Sequence, residues 1–411
     1  MPRLIITILF IFFVFNGNAK TIVVRADKAN AIKNALAYCA DGDTLTIEKG
    51  LYKEQDILVS KRITILGKDY PVIDGVKKGQ LIVVVRDSVT ISGLQLQNTG
   101  RSSMTDMAAI RLQNVKSVSV TNNKLVNNTY GVYLQNSHYC LVYKNTIKAD
   151  AKDELNSGNG IHAWKSTHLL LQSNNISGHR DGIYFEFVTD SRIINNTSTE
   201  NIRYGLHFMF SHKDVYTHNS FINNGSGVAV MYSKQVEMYY NTFRHNWGDA
   251  SYAILLKEIA DSKIEHNLFD KNTVGIYMEG TSRIQVLYNE FVENGWAMRV
   301  QSSCDNNVFE KNNFLSNSFD VATNGTMMLN TFNNNYWDKY DGYDLDKNKV
   351  GDVPYYPVSM YSVVTERVPT AMILYRSFLT DIMNRVEKVM PSIVPDKLKD
   401  DNPLMKSLKL R

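Results

Sequence analysis

A pattern of regularly spaced asparagine and apolar residues recurs ten times along the chain. In each copy an apolar residue usually stands two positions after the first asparagine, and a second asparagine usually stands five positions after it. Most copies begin 22 or 23 residues after the previous one. The first asparagines of the copies are Asn123, Asn145, Asn174, Asn196, Asn219, Asn241, Asn267, Asn289, Asn312 and Asn330.

A repeat this short predicts a stacked solenoid. Such a unit cannot bury its own apolar face, and β-branched and aromatic residues punctuated by glycine and asparagine favour strands and turns. We therefore expect an all-β protein, a right-handed parallel β-helix whose coils lie ~4.8 Å apart, the strand-pairing distance. The first asparagines would form a ladder at one turn. The residues two positions later would form an inward stack of Leu125, Ile147, Ile176, Phe221, Phe243, Phe269, Phe291, Phe314 and Phe332, interrupted by Ser198.

Two longer steps between repeats predict insertions in this solenoid, and the N-terminal segment predicts its cap. The steps after Asn145 and Asn241 are longer than the others and predict loop insertions at residues 150–159 and about 247–252. Residues 29–40 favour a helix that leads into a first strand and caps the exposed end of the solenoid. The predicted β-helix occupies residues 20–357.

The composition changes after Pro357, where the asparagine repeat stops. Within a predicted helical tail of residues 358–411, an apolar helical pattern runs from about Ser362 to Met390. Charged residues interrupt this pattern, so its apolar stretches fall short of the ~20 residues needed to cross a bilayer. An amphipathic helix that docks on a partner fits the pattern, and packing against the side of the β-helix is the alternative. The charged residues 396–411 are predicted to be mobile.

The first nineteen residues have the organisation of a secretory signal peptide. One arginine precedes an apolar run over residues 4–15, and Gly17 and Ala19 are small residues before an expected cleavage after Ala19. We therefore expect an exported chain. A formal net charge of only +4 gives little support for a nucleic-acid partner. Burial as small apolar residues is the simplest interpretation of the three widely spaced cysteines, Cys39, Cys140 and Cys304.

Function must be argued from one face of the solenoid, because β-helices serve as enzymes, adhesins and scaffolds alike. A strand follows the glycine or alanine that comes after each asparagine motif, as at Gly131, Gly182 and Gly205. Alternation sends the first and third residues of this strand inward and the second and fourth outward. The first outward stripe is Tyr133, His162, Tyr184, His207, Ala229, Leu255, Tyr277 and Arg299, and the second stripe is Gln135, Trp164, Glu186, Met209, Met231, Lys257, Glu279 and Gln301.

These two stripes contain a soft set of metal donors. His207 and Met209 are neighbours on one predicted strand, and Met231 is expected one coil beyond Met209. Thioether and imidazole donors suit Cu(I) far better than Mg²⁺ or Ca²⁺, and His162 and Glu186 are further candidate ligands on adjoining coils. The alternative is a hydrophobic strip covered by a neighbouring loop, because methionine is most often a packing residue.

Three stretches on this face and two later ones carry a family resemblance. The first three are RDGIYFE at 180–186, RYGLHFMFS at 203–211 and VAVMYS at 228–233. The later ones are LLKEI at 255–259, and YWD at 336–338 leading through residues 342–346 to GDVPY at 351–355. Over nearly the whole exported length, and in the same order, the chain resembles the NosD family of periplasmic maturation proteins of nitrous oxide reductase.

The resemblance implies a periplasmic copper-trafficking or assembly adaptor that is not an enzyme. Its implied partners are the permease and ATPase of an ABC-type transporter, a copper chaperone, and nitrous oxide reductase, an enzyme of denitrification. The helical tail would contact the permease and keep the chain peripheral to the membrane. The resemblance also makes one set of residues the expected place of transient copper contact or partner docking, namely His162, Glu186, His207, Met209 and Met231.

In one segment after the last repeat, oxygen-bearing side chains are spaced like the ligands of a calcium-binding loop. Asp344, Asp346, Asn348 and Asp352 are candidate ligands, but no glutamate closes the loop, which excludes an EF-hand. A smaller Ca²⁺ site and a cap built from Asx turns remain the two alternatives.

The competing class of function is a carbohydrate-active enzyme, such as a polysaccharide lyase, hydrolase or epimerase. An aromatic face could stack on sugar rings, but a glycosidase also needs two positioned carboxylates. The outward stripes offer only Glu186 and Glu279, which are four coils and thus ~19 Å apart, beyond either standard spacing.

Overall fold

The computed structural model describes residues 19–102, 104–325, 329–389 and 398–410. Almost all of the predicted signal peptide lies outside these residues. Within them the chain winds through about fourteen coils that build three parallel β-sheets, and helices lie near both ends. This architecture confirms the predicted all-β parallel β-helix.

A full coil contributes one strand to each sheet, and equivalent residues of successive coils pair in register. In the described residues the first sheet consists of Thr21–Val24, Thr44–Ile47, Thr64–Gly67, Thr90–Ser92, Ser119–Thr121, Leu141–Tyr143, Leu170–Gln172, Arg192–Ile194, Val215–Thr217, Glu237–Tyr239, Lys263–Glu265, Gln285–Leu287, Asp305–Glu310 and Leu329–Asn333. The second sheet consists of Leu51–Tyr52, Val72–Asp74, Gln95–Gln97, Lys124–Val126, Thr146–Lys148, Asn175–Ser177, Thr197–Thr199, Ser220–Ile222, Thr242–Arg244, Leu268–Asp270, Glu290–Val292, Asn313–Leu315 and Tyr336–Trp337. The third sheet consists of Ile57–Val59, Ile82–Val84, Ala108–Gln113, Tyr130–Gln135, Ile161–Trp164, Asp181–Glu186, Tyr204–Met209, Ser226–Met231, Tyr252–Lys257, Val274–Glu279, Trp296–Val300 and Phe319–Ala322.

Inward residues of the second sheet form the predicted core stack. The rings of Phe221 and Phe243 are fully buried and nearly parallel, with centroids 5.4 Å apart, and the stack continues at similar spacing to Phe314. Beyond Phe314 the prediction was wrong, because the next ring is Trp337, 4.0 Å away, and not Phe332. Phe332 lies in the first sheet and stacks on Phe309.

The asparagine ladder holds one corner of every coil. The backbone nitrogen and Nδ2 of Asn123 both donate to Oδ1 of Asn145, at 3.0 and 3.1 Å, and Nδ2 of Asn145 also donates to the carbonyl of Val120. The same pattern repeats through Asn174, Asn196, Asn219, Asn241, Asn267, Asn289 and Asn312. Buried amides in these turns are therefore satisfied by the amide of the next coil.

The predicted last member of this ladder is wrong. Asn312 donates to Asn335, 23 residues later, whereas Asn330 accepts from Asn307 at another turn. The ladder thus keeps its regular step, and a step from Asn312 to Asn330 would have been shorter than any other in it. The second asparagines of the motif form a parallel ladder from Asn201 to Asn317.

Helix α1 (Ala31–Tyr38) packs on the first coils, as predicted. It buries Ile32 and Leu36, and the carboxylate of Glu54 accepts from the backbone nitrogens of Ile32 and Lys33 at 2.9 and 3.2 Å. Glu54 thereby satisfies two donors at the helix N-terminus. The strand Thr21–Val24 precedes α1 and pairs with Thr44–Ile47.

The C-terminal pattern folds as a helical arm, residues 360–389, rather than as one continuous helix. It consists of α2 (Met360–Arg367), a 3₁₀ helix (Pro369–Leu374) and α3 (Phe378–Val389). Pro369 has no backbone N–H and restricts the preceding residue, which explains the break after α2. The carboxylate of Glu366 on α2 accepts two 2.7 Å bonds from Arg299, so the start of the arm is fixed to the third sheet. None of the helices in the described residues is long and apolar enough to cross a membrane.

The chain then returns to the solenoid in a terminal strap, residues 398–410. The predicted mobility of the last residues is therefore wrong for this segment. Oδ2 of the buried Asp400 accepts from the backbone nitrogen and Nδ2 of Asn335 and from the indole Nε1 of Trp337, at 2.9, 3.0 and 3.1 Å. Leu404 bridges to Tyr336. Asp400 thus ends the asparagine ladder as a residue that only needs to accept.

Replacing Asp400 by alanine should destabilise the C-terminal coils. Three buried donors would lose their acceptor, and each unsatisfied group costs roughly 1–3 kcal/mol. Urea unfolding should show this loss for Asp400→Ala. The exposed neighbour Asp401 provides the matched control, and Asp401→Ala should change the unfolding free energy by less than about 0.5 kcal/mol. Equal effects of the two substitutions would contradict the assigned role of Asp400.

Candidate functional site

Strand alternation on the third sheet is as the sequence predicts. Ile183, Phe185, Leu206 and Phe208 point inward and are fully buried. Tyr133 pairs with His162, His162 with Tyr184, and Tyr184 with His207. The second stripe aligns in the same register, in the order Gln135, Trp164, Glu186, Met209, Met231, Lys257 and Glu279.

Rings of the first stripe pack so tightly that its histidines are not surface residues. His162 is 8% exposed and His207 is 6% exposed. Tyr184 lies between them, with ring centroids 4.8 Å from His162 and 4.9 Å from His207. Tyr204 contacts the other side of His207, also at 4.9 Å. The first stripe is therefore a wall of interleaved tyrosine and histidine rings.

The second stripe provides the accessible soft donors. Glu186, Met209 and Met231 are half-buried and occupy three consecutive coils, so each is a direct neighbour of the next. His207 lies two residues before Met209 on the same outward side of the same strand. The structure thus brings four of the five predicted ligands together. His162 stands two coils from His207, with Tyr184 between them.

Asp181 is a charged residue of this site that the sequence pattern did not reveal. Its side chain is fully buried, and Arg203 donates to it through Nε at 2.9 Å and through Nη2 at 2.5 Å. His207 Nδ1 lies 3.8 Å from Oδ2 of the same carboxylate. Burial would raise the pKa of Asp181, but the nearby His207 ring, the hydrogen bonds from Arg203 and the charge of Arg203 bring it below its ordinary value. Asp181 is therefore a buried anion beside an imidazole.

His162 has different electrostatic surroundings. Asn159 places its Nδ2 3.3 Å from Nδ1 of His162, and the charges of Arg180 and Arg111 oppose a positive charge on the ring, while the charge of Asp181 favours one. Burial first, and then Arg180, lower the pKa of His162 to about 3. His162 is therefore neutral at any physiological pH.

Exposed aromatic rings border the methionines. Phe187, Phe210 and Tyr232 directly follow Glu186, Met209 and Met231, and their rings stack with centroids 5.2 and 5.1 Å apart. They are 44%, 38% and 40% exposed. All three have φ between 50° and 53°, an uncommon conformation for large side chains. Together with the methionines they make a soft apolar surface of the kind that protein interfaces favour.

Comparison with known proteins finds one matching family. The model of the family described as "Periplasmic copper-binding protein (NosD)" matches residues 144–342, which include the five predicted ligands. A protein of Pseudomonas aeruginosa named "Probable ABC transporter binding protein NosD" is 27% identical over 353 residues, covering 81% of this chain and 82% of its own length. The chain resembles NosD-type proteins. A protein of the same name from Stutzerimonas stutzeri is 24% identical and covers 82% of this chain and 80% of its own length.

A solved structure supports the fold of this chain and nothing more. The catalytic domain of a GH87 α-1,3-glucanase superposes with a TM-score of 0.64 at 13% identity, covering 78% of this chain and 69% of that one. On the third sheet Glu186 and Glu279 are four coils apart, as expected from the sequence. That arrangement gives no glycosidase pair, although the β-helix is shared with an enzyme.

Other candidate metal positions of the chain are occupied by internal contacts. Asp344 accepts from the backbone nitrogens of Asn348 and Lys349, and Asp352 accepts from that of Leu345. This network corresponds to the Asx-turn alternative and gives the calcium expectation no support. The three cysteines are buried, and burial raises the pKa of Cys140 to about 11. Across the described ranges, no group of three or more His, Cys, Asp and Glu side chains is placed to hold a metal ion.

The low pKa of His162 should make the protein acid-sensitive. The unfolded chain binds a proton on this ring below about pH 6.5, whereas the folded chain does not until about pH 3, so stability falls as the pH falls through that window. His162→Gln should reduce the loss of unfolding free energy between pH 6.5 and 4.5 by roughly 2 kcal/mol. Urea unfolding at several pH values measures this difference. His245→Gln, at an exposed turn, is the control, and a slope like that of the control would contradict the assignment.

Proposed function

We propose that this chain is a periplasmic copper-handling adaptor that works with an ABC transporter in the maturation of nitrous oxide reductase. It would receive Cu(I) with the aid of a copper chaperone and would not catalyse a reaction itself. The family description and the names of the two relatives support the copper, periplasmic and transporter parts of this proposal. The role in the reductase pathway, the permease and ATPase, and the chaperone rest on the resemblance described above.

The observation that carries the proposal is the juxtaposition of soft donors on the third sheet. The thioethers of Met209 and Met231 are on adjacent coils, and His207 is on the strand of Met209. Such donors select Cu(I) over the harder divalent ions, and here they lie on a rigid sheet rather than on loops. Glu186, beside Met209, adds one carboxylate to the group.

Partial exposure of the two methionines suits transfer rather than storage. Both methionines are half-buried and border the stacked rings of Phe187, Phe210 and Tyr232. A chaperone could therefore contact the aromatic rings while its metal reaches the thioethers. The set contains two neutral sulfur donors and no thiolate, so the ion would be held weakly enough to leave.

The helical arm supplies a separate surface for the transporter. Phe378, Ile382 and Val386 occupy one side of α3, and they are 79%, 41% and 41% exposed. The arm is attached to the solenoid through Glu366 at one end and through the terminal strap at the other. We propose that α3 docks on the permease and keeps the chain peripheral to the membrane. In this proposal α2 packs on the β-helix instead.

Anaerobic titration with Cu(I) against a competing chelator tests the copper site. The chain from Lys20 onward should bind Cu(I), and a His207→Ala, Met209→Ala, Met231→Ala variant should bind at least tenfold more weakly, because it lacks all three soft donors. The matched control is a Met104→Ala, His245→Ala variant, which removes the same kinds of side chain from exposed positions elsewhere.

Each outcome of this titration has a definite meaning. Loss of binding in the triple variant alone assigns copper to the third sheet. Equal binding by wild type, triple variant and control removes copper from this face and assigns it to another part of the chain. Absence of binding in all three proteins would mean that the metal stays on the partners.

A further inference from the structure

The first stripe contains two buried histidines with different polar groups at their Nδ1 atoms. Nδ1 of His207 lies 3.8 Å from the carboxylate of Asp181, whereas Nδ1 of His162 lies 3.3 Å from the amide nitrogen of Asn159. The charge of Asp181 also acts on His162, but Arg180 and Arg111 oppose it there. Both rings have tyrosine neighbours with ring centroids 4.6–4.9 Å away. Ring packing therefore does not distinguish the two histidines, and the polar groups at their Nδ1 atoms do.

The carboxylate beside His207 is held in place independently of the histidine. Arg203 binds both of its oxygens, and the backbone nitrogen of Tyr204 donates to Oδ1 at 3.3 Å. Nε of Arg180 lies 3.9 Å from Oδ2. With these partners, the negative charge of Asp181 stays fixed 3.8 Å from His207 Nδ1.

This geometry selects one tautomer of His207. An Nδ1–H group directed at a carboxylate is attracted, whereas an Nδ1 lone pair in the same place is repelled. The proton therefore belongs on Nδ1, and the lone pair belongs on Nε2. In the part of the chain that the structure describes, neither ring nitrogen of the buried His207 has a hydrogen-bond partner, so Nε2 is not already engaged.

His162 is predisposed to the other tautomer. Nδ2 of Asn159 is a donor, so Nδ1 of His162 accepts and the proton is on Nε2. That nitrogen has no lone pair to offer, and the positive charges of Arg111 and Arg180 disfavour a cation beside the ring.

We infer that Asp181, anchored by Arg203, is the positioning residue that makes His207, and not His162, the imidazole donor for Cu(I) beside Met209 and Met231. The inference rests on the proposed function and deepens it. A carboxylate that orients a metal-binding histidine from its far side is a general device, and its loss typically lowers metal affinity ~10–100-fold.

Tautomer measurement on the metal-free protein tests the first half of the inference without any copper. Long-range ¹H–¹⁵N correlation spectra of the ¹⁵N-histidine-labelled chain report which ring nitrogen carries the proton, and His207→Gln and His162→Gln assign the two signals. We expect His207 as Nδ1–H and His162 as Nε2–H. A wild-type His207 protonated on Nε2 would overturn the inference whatever the variants do.

The substitution Asp181→Asn tests the second half. It replaces one carboxylate oxygen with a donor, so the Nε2–H form of His207 should increase and Cu(I) affinity should fall ~10–100-fold. Asp320→Asn is the matched control, because Asp320 is also buried, is paired with Lys339, and lies six coils away.

The outcomes separate this inference from the proposed function. Wild-type copper binding with unchanged affinity in a folded Asp181→Asn chain would overturn the inference alone. A wild-type chain with the expected tautomers but no Cu(I) binding would overturn the proposed copper role and, with it, the copper-donor part of the inference. A fall in affinity in Asp181→Asn, with the control unchanged, supports both.

Discussion

Coil-to-coil pairing at the spacing of a parallel β-sheet is the constraint on which this molecule depends. Every coil repeats the same path, so each side chain meets its equivalents above and below before it meets anything else. The pairing places the buried amides of one corner at hydrogen-bond distance from their equivalents in the next coil, which explains the unbroken run from Asn123 to Asn335. The same spacing places aromatic rings 4.6–5.4 Å apart, close to ideal for stacking.

That constraint also explains how a uniform scaffold acquires a local site. A residue of the third sheet has neighbours from two other coils, so changing one residue in one coil alters the surroundings of three. Asp181 occupies a position that tyrosine fills in the next coil, at Tyr204, and serine in the one after, at Ser226. A single carboxylate in that column, with its arginine one coil away, makes the environment of His207 unlike that of any other residue in the stripe.

Strict repetition made most of the fold predictable from the sequence, and the errors occur where repetition fails. Asn330 begins a motif of the right form, but it belongs to another corner, and Asn335 continues the ladder at the regular step of 23 residues. The same step carries the core stack from Phe314 to Trp337, while Phe332 lies in the first sheet. The strap could not be predicted, because the buried side-chain donors that Oδ2 of Asp400 satisfies lie more than sixty positions earlier in the chain.

For the site, alternation was sufficient to place Met209, Met231 and His207 on one outward surface. It could not show that the two histidines are buried, since exposure depends on the tyrosines of adjoining coils. Asp181 was visible only as part of a family motif, because a carboxylate before a glycine is an ordinary turn residue in sequence terms. Its importance appears only when Arg203 and His207 are seen around it.

The ladder that ends at Asp400 has a direction. Each asparagine donates toward the C-terminal end and accepts from the other, so an uncovered last coil would present donors, and the edges of three sheets, to any similar coil that approached. Another copy of the molecule carries such coils. By giving the last ladder asparagine an acceptor and covering the edges beside it, the strap ends a structure that is in principle endless, as protection against edge-to-edge association of a periodic protein requires.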